Sequence, residues 1–171
     1  MAGGGTITAP MPLFNMTDLR ARLLPGQRLL GVDPGARTIG LALSDVSLML
    51  ATPHSSLRRD KLLENAGSIG RIAEKEGVGG LVVGLPLSMD GTSGPAAQAA
   101  RDWTHALSTA TGLPAALWDE RLSTSAVNRF LIEEADMTRK RRAQVVDRMA
   151  AAYMLQAALD ASRQHKPEET P

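Results

Sequence analysis

Residues 29–45 read Leu29-Leu30-Gly31-Val32-Asp33-Pro34-Gly35-Ala36-Arg37-Thr38-Ile39-Gly40-Leu41-Ala42-Leu43-Ser44-Asp45, and this stretch decides the fold. The apolar run Leu29 to Val32 stops at a carboxylate, Asp33, the pattern of a buried strand that carries an acid to its end. Asp33-Pro34-Gly35-Ala36 reads as a type II turn, with proline pre-setting φ at the second position and glycine tolerating positive φ at the third. Beyond it, Ile39, Leu41 and Leu43 alternate with Gly40, Ala42 and Ser44, which predicts a second strand with one bulky face and one small face. The small face is expected to leave room beside Asp33. The stretch is therefore a hairpin with an acid at its bend.

Working outward, Leu48 to Thr52 reads as a third strand ended by Pro53. From Arg59 to Glu76, apolar residues Leu62, Leu63, Ala66, Ile69, Ile72 and Ala73 fall at helical spacing, with Gly77 just past the end. Gly80 to Leu85 is a continuous apolar run before Pro86, as expected of a central strand buried on both faces. A loop follows, then a helix opened by Pro95 and running through Ala110. Ala115 to Trp118 reads as a fifth strand leading into Asp119-Glu120-Arg121. Ser123 to Ser125 can cap a helix to about Glu134, and Thr138 a last helix to about Arg163. Towards the N-terminus, Thr17 can cap a short helix closed by Pro25-Gly26. The expected organisation is an N-terminal extension over 1–26, partly mobile, one α/β domain over 27–163, and a loose tail over 164–171. An antiparallel meander followed by alternating strands and helices implies a mixed sheet covered by helices on its faces.

The composition excludes several function classes. The chain has 171 residues, suited to one domain, and 43% hydrophobic and 22% charged residues are ordinary globular values. No apolar run approaches the ~20 residues needed to cross a bilayer, so no membrane role is expected. There is no cysteine, which removes disulfides and thiolate metal sites and suits a reducing, cytoplasmic location. A net charge of +1 means that any attraction to nucleic acid must be local. Aromatic residues make up only 3%, so backbone recognition is expected rather than base stacking.

Three acids stand at chemically suggestive places: Asp33 ending the first strand, Glu120 ending the fifth, and Asp147 in the last helix. Adjacent strand residues point to opposite faces, so only one of Asp119 and Glu120 can easily join Asp33, and Glu120 is the favoured one. Asp147 heads an apolar stripe of Ala150, Ala151, Met154 and Ala158, and a carboxylate turned towards a buried face needs a partner or a metal. Clustered carboxylates repel unless a hard cation, Mg²⁺ or Mn²⁺, lies between them. Two such ions about 3.5–4 Å apart can activate a water and stabilise the leaving oxygen in phosphodiester hydrolysis. The run Arg139-Lys140-Arg141-Arg142 sits at a helix start, where the macrodipole disfavours cations, so phosphate contact is its functional reading. With Arg37 and Arg121, these four form the candidate nucleic-acid-binding set. His54, His105 and His165 have no ligand spacing, so neither a histidine metal site nor a serine-histidine triad is supported.

Taken in order, the motifs GVDPGARTIGLALSD, VVGLPLSMDGTSGP, DERLST and VVDRMAAAYMLQ resemble the YqgF family, the RuvX proteins described as pre-16S rRNA nucleases or Holliday-junction-resolvase-like. The resemblance spans about Leu29 to Asp160. It implies an RNase H-like α/β fold, a five-stranded mixed sheet flanked by helices on both faces. It also implies divalent-metal nuclease chemistry, endo- or exonucleolytic, with Asp33, Glu120 and Asp147 at the family's acidic positions as catalytic residues and metal ligands. The family pattern usually reads DERLTT where this chain has Asp119-Glu120-Arg121-Leu122-Ser123-Thr124, a change that keeps a hydroxyl. The expected partner is nucleic acid, either pre-16S rRNA, with ribosomal particles, or a four-way DNA junction, for which a homodimer would suit two symmetric cuts. Two other classes compete: a non-catalytic nucleic-acid or ribosome-binding module, and the actin and sugar-kinase fold, which needs two related domains where this chain has length for one.

Overall fold

The computed structural model describes residues 12–85, 94–119 and 139–163. Five strands, β1 (Arg28–Pro34), β2 (Thr38–Ser44), β3 (Ala51–Arg58), β4 (Val78–Leu85) and β5 (Ala115–Asp119), form one sheet in the order β3-β2-β1-β4-β5. β1 to β3 form an antiparallel meander, while β4 and β5 run parallel to β1. The described helices are α1 (Met16–Arg22), α2 (Leu62–Glu76), α3 (Pro95–Thr111) and α4 (Arg139–Ser162). The expected five-stranded mixed sheet with helices on both faces is thus present.

Strand alternation sorts the core into two layers. Leu30, Val32, Ile39, Leu41, Leu43, Leu81 and Val83 face α2 and α3, packing on Ala66, Ile69, Ala73 and Leu107. Leu29, Ala42, Val82 and Ala116 face the other way, onto Met16 and Leu19 of α1 and Ala151, Met154, Leu155 and Ala158 of α4. Each fully buried Leu or Ile contributes about 1.5–3 kcal/mol relative to exposure. The helix ends are placed by local chemistry: α2 and α3 both close on a left-handed glycine, Gly77 and Gly112.

The bulky and small faces of β2 determine what can lie against each. The bulky face meets side chains; the small face admits backbone. A Cβ built on Gly40 would stand 2.0 Å from the carbonyl oxygen of Asp147, and one on Gly31 would stand 3.0 Å from the Cβ of Leu155. Together with Ala42, these glycines form a groove in which α4 seats directly on the sheet. The room expected beside Asp33 is therefore filled, by the backbone of α4 itself.

Several boundaries differ from the sequence reading, each for a local reason. The hairpin bend lies two residues later than a type II turn over 33–36: β1 runs on through Pro34, which pairs with Ile39, and Gly35 N–H donates to the Thr38 carbonyl at 2.8 Å. Gly35 has no positive φ. β3 begins at Ala51 instead of Leu48 because the Asp45 carboxylate accepts the N–H groups of Met49 (2.8 Å) and Leu50 (3.1 Å), which would otherwise join the ladder. Leu48, at φ 56°, lies in the resulting loop. Pro53 does not end β3, since β3 is an edge strand and its register shifts beside Pro53, leaving one proline tolerable.

The connection into α2 is held by buried Asn65, which accepts from Asp60 N–H and donates to the Arg58 carbonyl, so the helix starts at Leu62 and not at Arg59. α1 starts at Met16 because Asn15, not Thr17, caps it, accepting from Asp18 N–H at 2.8 Å. Within the expected N-terminal extension, Phe14 bridges to β5 and Leu19 is fully buried. The expected helix from Ser123 to Glu134 lies outside the described residues.

Two expected outcomes follow from this packing. Gly40→Ala should destabilise by at least about 1–3 kcal/mol, since the obstacle is helix backbone and not a flexible side chain. Urea unfolding checks it; an unchanged midpoint would mean that α4 is not seated on Gly40. Asp45 is held at a pKa of about 2 by its hydrogen bonds from Ser47, Leu50 and Met49, below its ordinary 3.8. Its contribution to the loop is therefore complete above the ordinary value and is lost as pH falls towards about 2. A carboxyl titration by NMR should show the low midpoint; a midpoint near 3.8 would contradict the loop geometry.

Candidate functional site

Asp33 sits one residue from the end of β1, directly opposite Gly40 in the antiparallel register. Opposed residues share a face, so Asp33 projects on the side where Gly40 meets the Asp147 carbonyl. A glycine thus brings together two acids 114 positions apart in the chain (147 − 33). The pairing register supplies one acid and the seating of α4 supplies the other. Asp147 is half-buried and stands at the head of Ala150, Ala151, Met154 and Ala158, all buried as the stripe requires.

The Asp147 carboxylate is also held from the side. Thr38 Oγ1 donates to Asp147 Oδ2, the hydrogen bond it receives among the described residues. Thr38 lies two residues before Gly40 and so on the same face of β2, and its carbonyl is the acceptor for Gly35 at the bend. Sequence reading missed Thr38 as a site residue, although its alternation with Gly40 carries the signal.

At the far edge, Asp119 ends β5 opposite Leu85 of β4. Alternation puts Asp119 on the face of Ala115 and Leu117, towards α2 and α3, and away from Asp33. Glu120 and Arg121 lie outside the described residues. Arg37 is exposed in the hairpin bend next to Thr38. Arg139 to Arg142 form the first turn of α4, where Arg141 is exposed; the side chains of Arg139, Lys140 and Arg142 lie outside the description.

Arg59 is a further basic residue at the bend that sequence reading did not single out. Its guanidinium donates to the Gly35 carbonyl at 2.7 Å and stands 5.5 Å above the Trp103 ring. Beside it lies a shallow cavity of about 250 Å³ lined by Pro34, Arg59, Ala96, Ala99, Ala100 and Trp103. This clasp fixes the loop that follows Asp33 from the α3 side, while Thr38 fixes it from the α4 side.

The chemistry of the donors bears on a metal. Asp33 and Asp147 offer carboxylate oxygens from rigid elements on one face, the hard donors that Mg²⁺ and Mn²⁺ take. Among the described residues, no group of three histidine, aspartate or glutamate side chains stands close enough to hold an ion. The two acids fit a hard divalent cation as a partial set, to which a third oxygen donor must be added.

Comparison with known proteins shows the family of the chain. A protein from Gluconacetobacter diazotrophicus named "Putative pre-16S rRNA nuclease" is 70% identical over 152 residues, covering 89% of this chain and 99% of that protein. A protein of the same name from Gluconobacter oxydans is 67% identical over 158 residues, covering 92% of this chain and 99% of its own. Among solved structures, Thermus thermophilus RuvC in complex with a Holliday junction substrate superposes with a TM-score of 0.50 at 16% identity, over 82% of this chain and 99% of that one. That likeness places the sheet and its helices in the RNase H-like fold. The family model described as "RuvX: Holliday junction resolvase" matches residues 27–161, and the chain belongs to the RuvX family.

Proposed function

We propose that this protein is a divalent-metal-dependent nuclease that processes the 5′ end of pre-16S rRNA in the cytoplasm. The observation that carries the reading is the placement of Asp33 and Asp147 on one face of the sheet through Gly40. The names of the two relatives supply the substrate class. Asp33, Asp147 and Glu120 would hold Mg²⁺ or Mn²⁺, with Glu120 following directly on β5. When bound, such ions acidify a water and neutralise charge on a leaving phosphodiester oxygen.

The chain's own part is positional. Asp33 is carried on a strand paired on both sides, and Asp147 on a helix seated against that pair, so neither acid must be ordered when substrate arrives. Arg37 at the bend, Arg121 after β5 and the Arg139–Arg142 turn of α4 are the proposed contacts to the phosphate backbone. Arginine suits this work through its planar fork of donors. These contacts would set register along the strand without reading bases.

A four-way DNA junction is the second reading, favoured by the description of the matching family model. Both substrates would use the same acids, so the two are separated by offering each to the purified protein. No described helix is long and apolar enough to cross a membrane.

Asp33→Asn and Asp147→Asn should each lower metal-dependent cleavage of an extended 16S precursor by more than about 100-fold, beyond the usual loss from removing a supporting group around a metal. Substrate binding should persist in both. Full cleavage by either variant would contradict the site. Replacing Arg139, Lys140, Arg141 and Arg142 with alanine should weaken binding and flatten its salt dependence, by roughly 0.7–0.9 in slope for each phosphate no longer neutralised. An unchanged slope would remove that turn from the interface.

A further inference from the structure

We propose that Thr38 is the positioning residue of the metal site: its hydroxyl holds the Asp147 carboxylate in the orientation that receives the cation. This rests on the reading of Asp147 as a ligand given above. Thr38 Oγ1 donates to Oδ2 of Asp147, which fixes the rotation of the carboxylate about its own axis and directs Oδ1 away from the threonine. A carboxylate within a helix otherwise turns freely about its last torsion, which is broad for aspartate. The donor is well suited to the task. Threonine is branched at Cβ and stiff in χ1, and β2 is paired on both sides, to β1 and to β3.

Thr38 also reaches the other acid through the backbone. Its carbonyl accepts Gly35 N–H at 2.8 Å, and a Cβ on Gly35 would stand 2.8 Å from that same oxygen. Gly35 is two residues beyond Asp33. One residue thus closes the bend that follows Asp33 with its carbonyl and orients Asp147 with its hydroxyl. Groups that orient a ligating carboxylate typically change metal affinity or activity by 10–100-fold when removed. A purely structural tie between β2 and α4 would instead change stability and leave metal affinity alone.

The experiment measures Mn²⁺ binding to the full chain without substrate, by electron paramagnetic resonance of the free ion, with thermal unfolding of the metal-free protein alongside. Thr38→Val and Thr38→Ala both lack the hydroxyl; Thr38→Ser keeps it. The expected result is a loss of Mn²⁺ affinity of roughly 10–100-fold in the first two, with Thr38→Ser close to the native protein. A folded Thr38→Val or Thr38→Ala with native Mn²⁺ affinity overturns the inference, as does a Thr38→Ser variant as weak as the other two. Asp147→Asn, measured in parallel, separates the failures. If it binds Mn²⁺ natively, the reading of Asp147 as ligand is wrong; if it loses Mn²⁺ while the hydroxyl-free variants do not, only the role of Thr38 is wrong.

Discussion

The close approach of the α4 backbone to Gly40 is the constraint on which the rest of the site depends. The helix carbonyl of Asp147 occupies the space that any side chain at position 40 would fill. Because Gly40 is the register partner of Asp33, the same contact that packs the helix also fixes the spatial relation of two acids. Packing and chemistry are not separate layers here. The interior of a protein is close-packed and transmits displacement, so a methyl group added at Gly40 would move an acid as well as a helix.

From that contact outward, the structure holds the acids from several directions. Ala151 and Leu155 continue the seating of α4 along Gly31, and the buried stripe through Ala158 anchors the helix further from the site. Thr38 bonds the carboxylate of Asp147. On the opposite side of the sheet, Arg59 grips the Gly35 carbonyl while standing over Trp103. The bend after Asp33 is thereby tied to helices on both faces, which keeps the strand end that carries the carboxylate from wandering.

Much of this was legible in the sequence, and the reason is periodicity. The alternation of Ile39, Leu41 and Leu43 with Gly40, Ala42 and Ser44 reports two faces of unequal bulk, and the stripe behind Asp147 reports which side of α4 is buried. What periodicity cannot report is occupancy: the small face of β2 reads as empty space until a helix backbone is found there. Three of the boundaries that shifted, at Asp45, Asn15 and Asn65, belong to polar side chains that bond nearby backbone groups and so override apolar pattern. Thr38 and Arg59 act through contacts made by tertiary packing, with Asp147 and Trp103 far along the chain; alternation with Gly40 marks the face of Thr38 but not its partner. Glu120 and the basic set beyond Arg37 and Arg141 rest on sequence reasoning and family membership.

The central claim is that Asp33 and Asp147 form one cation site. Paramagnetic broadening of backbone amide signals during a Mn²⁺ titration tests it most directly. The account predicts that amides around Asp33, Gly40 and Asp147 broaden together, in one saturable step, at low Mn²⁺. Broadening confined to one of the two acids, or centred elsewhere on the surface, would contradict it.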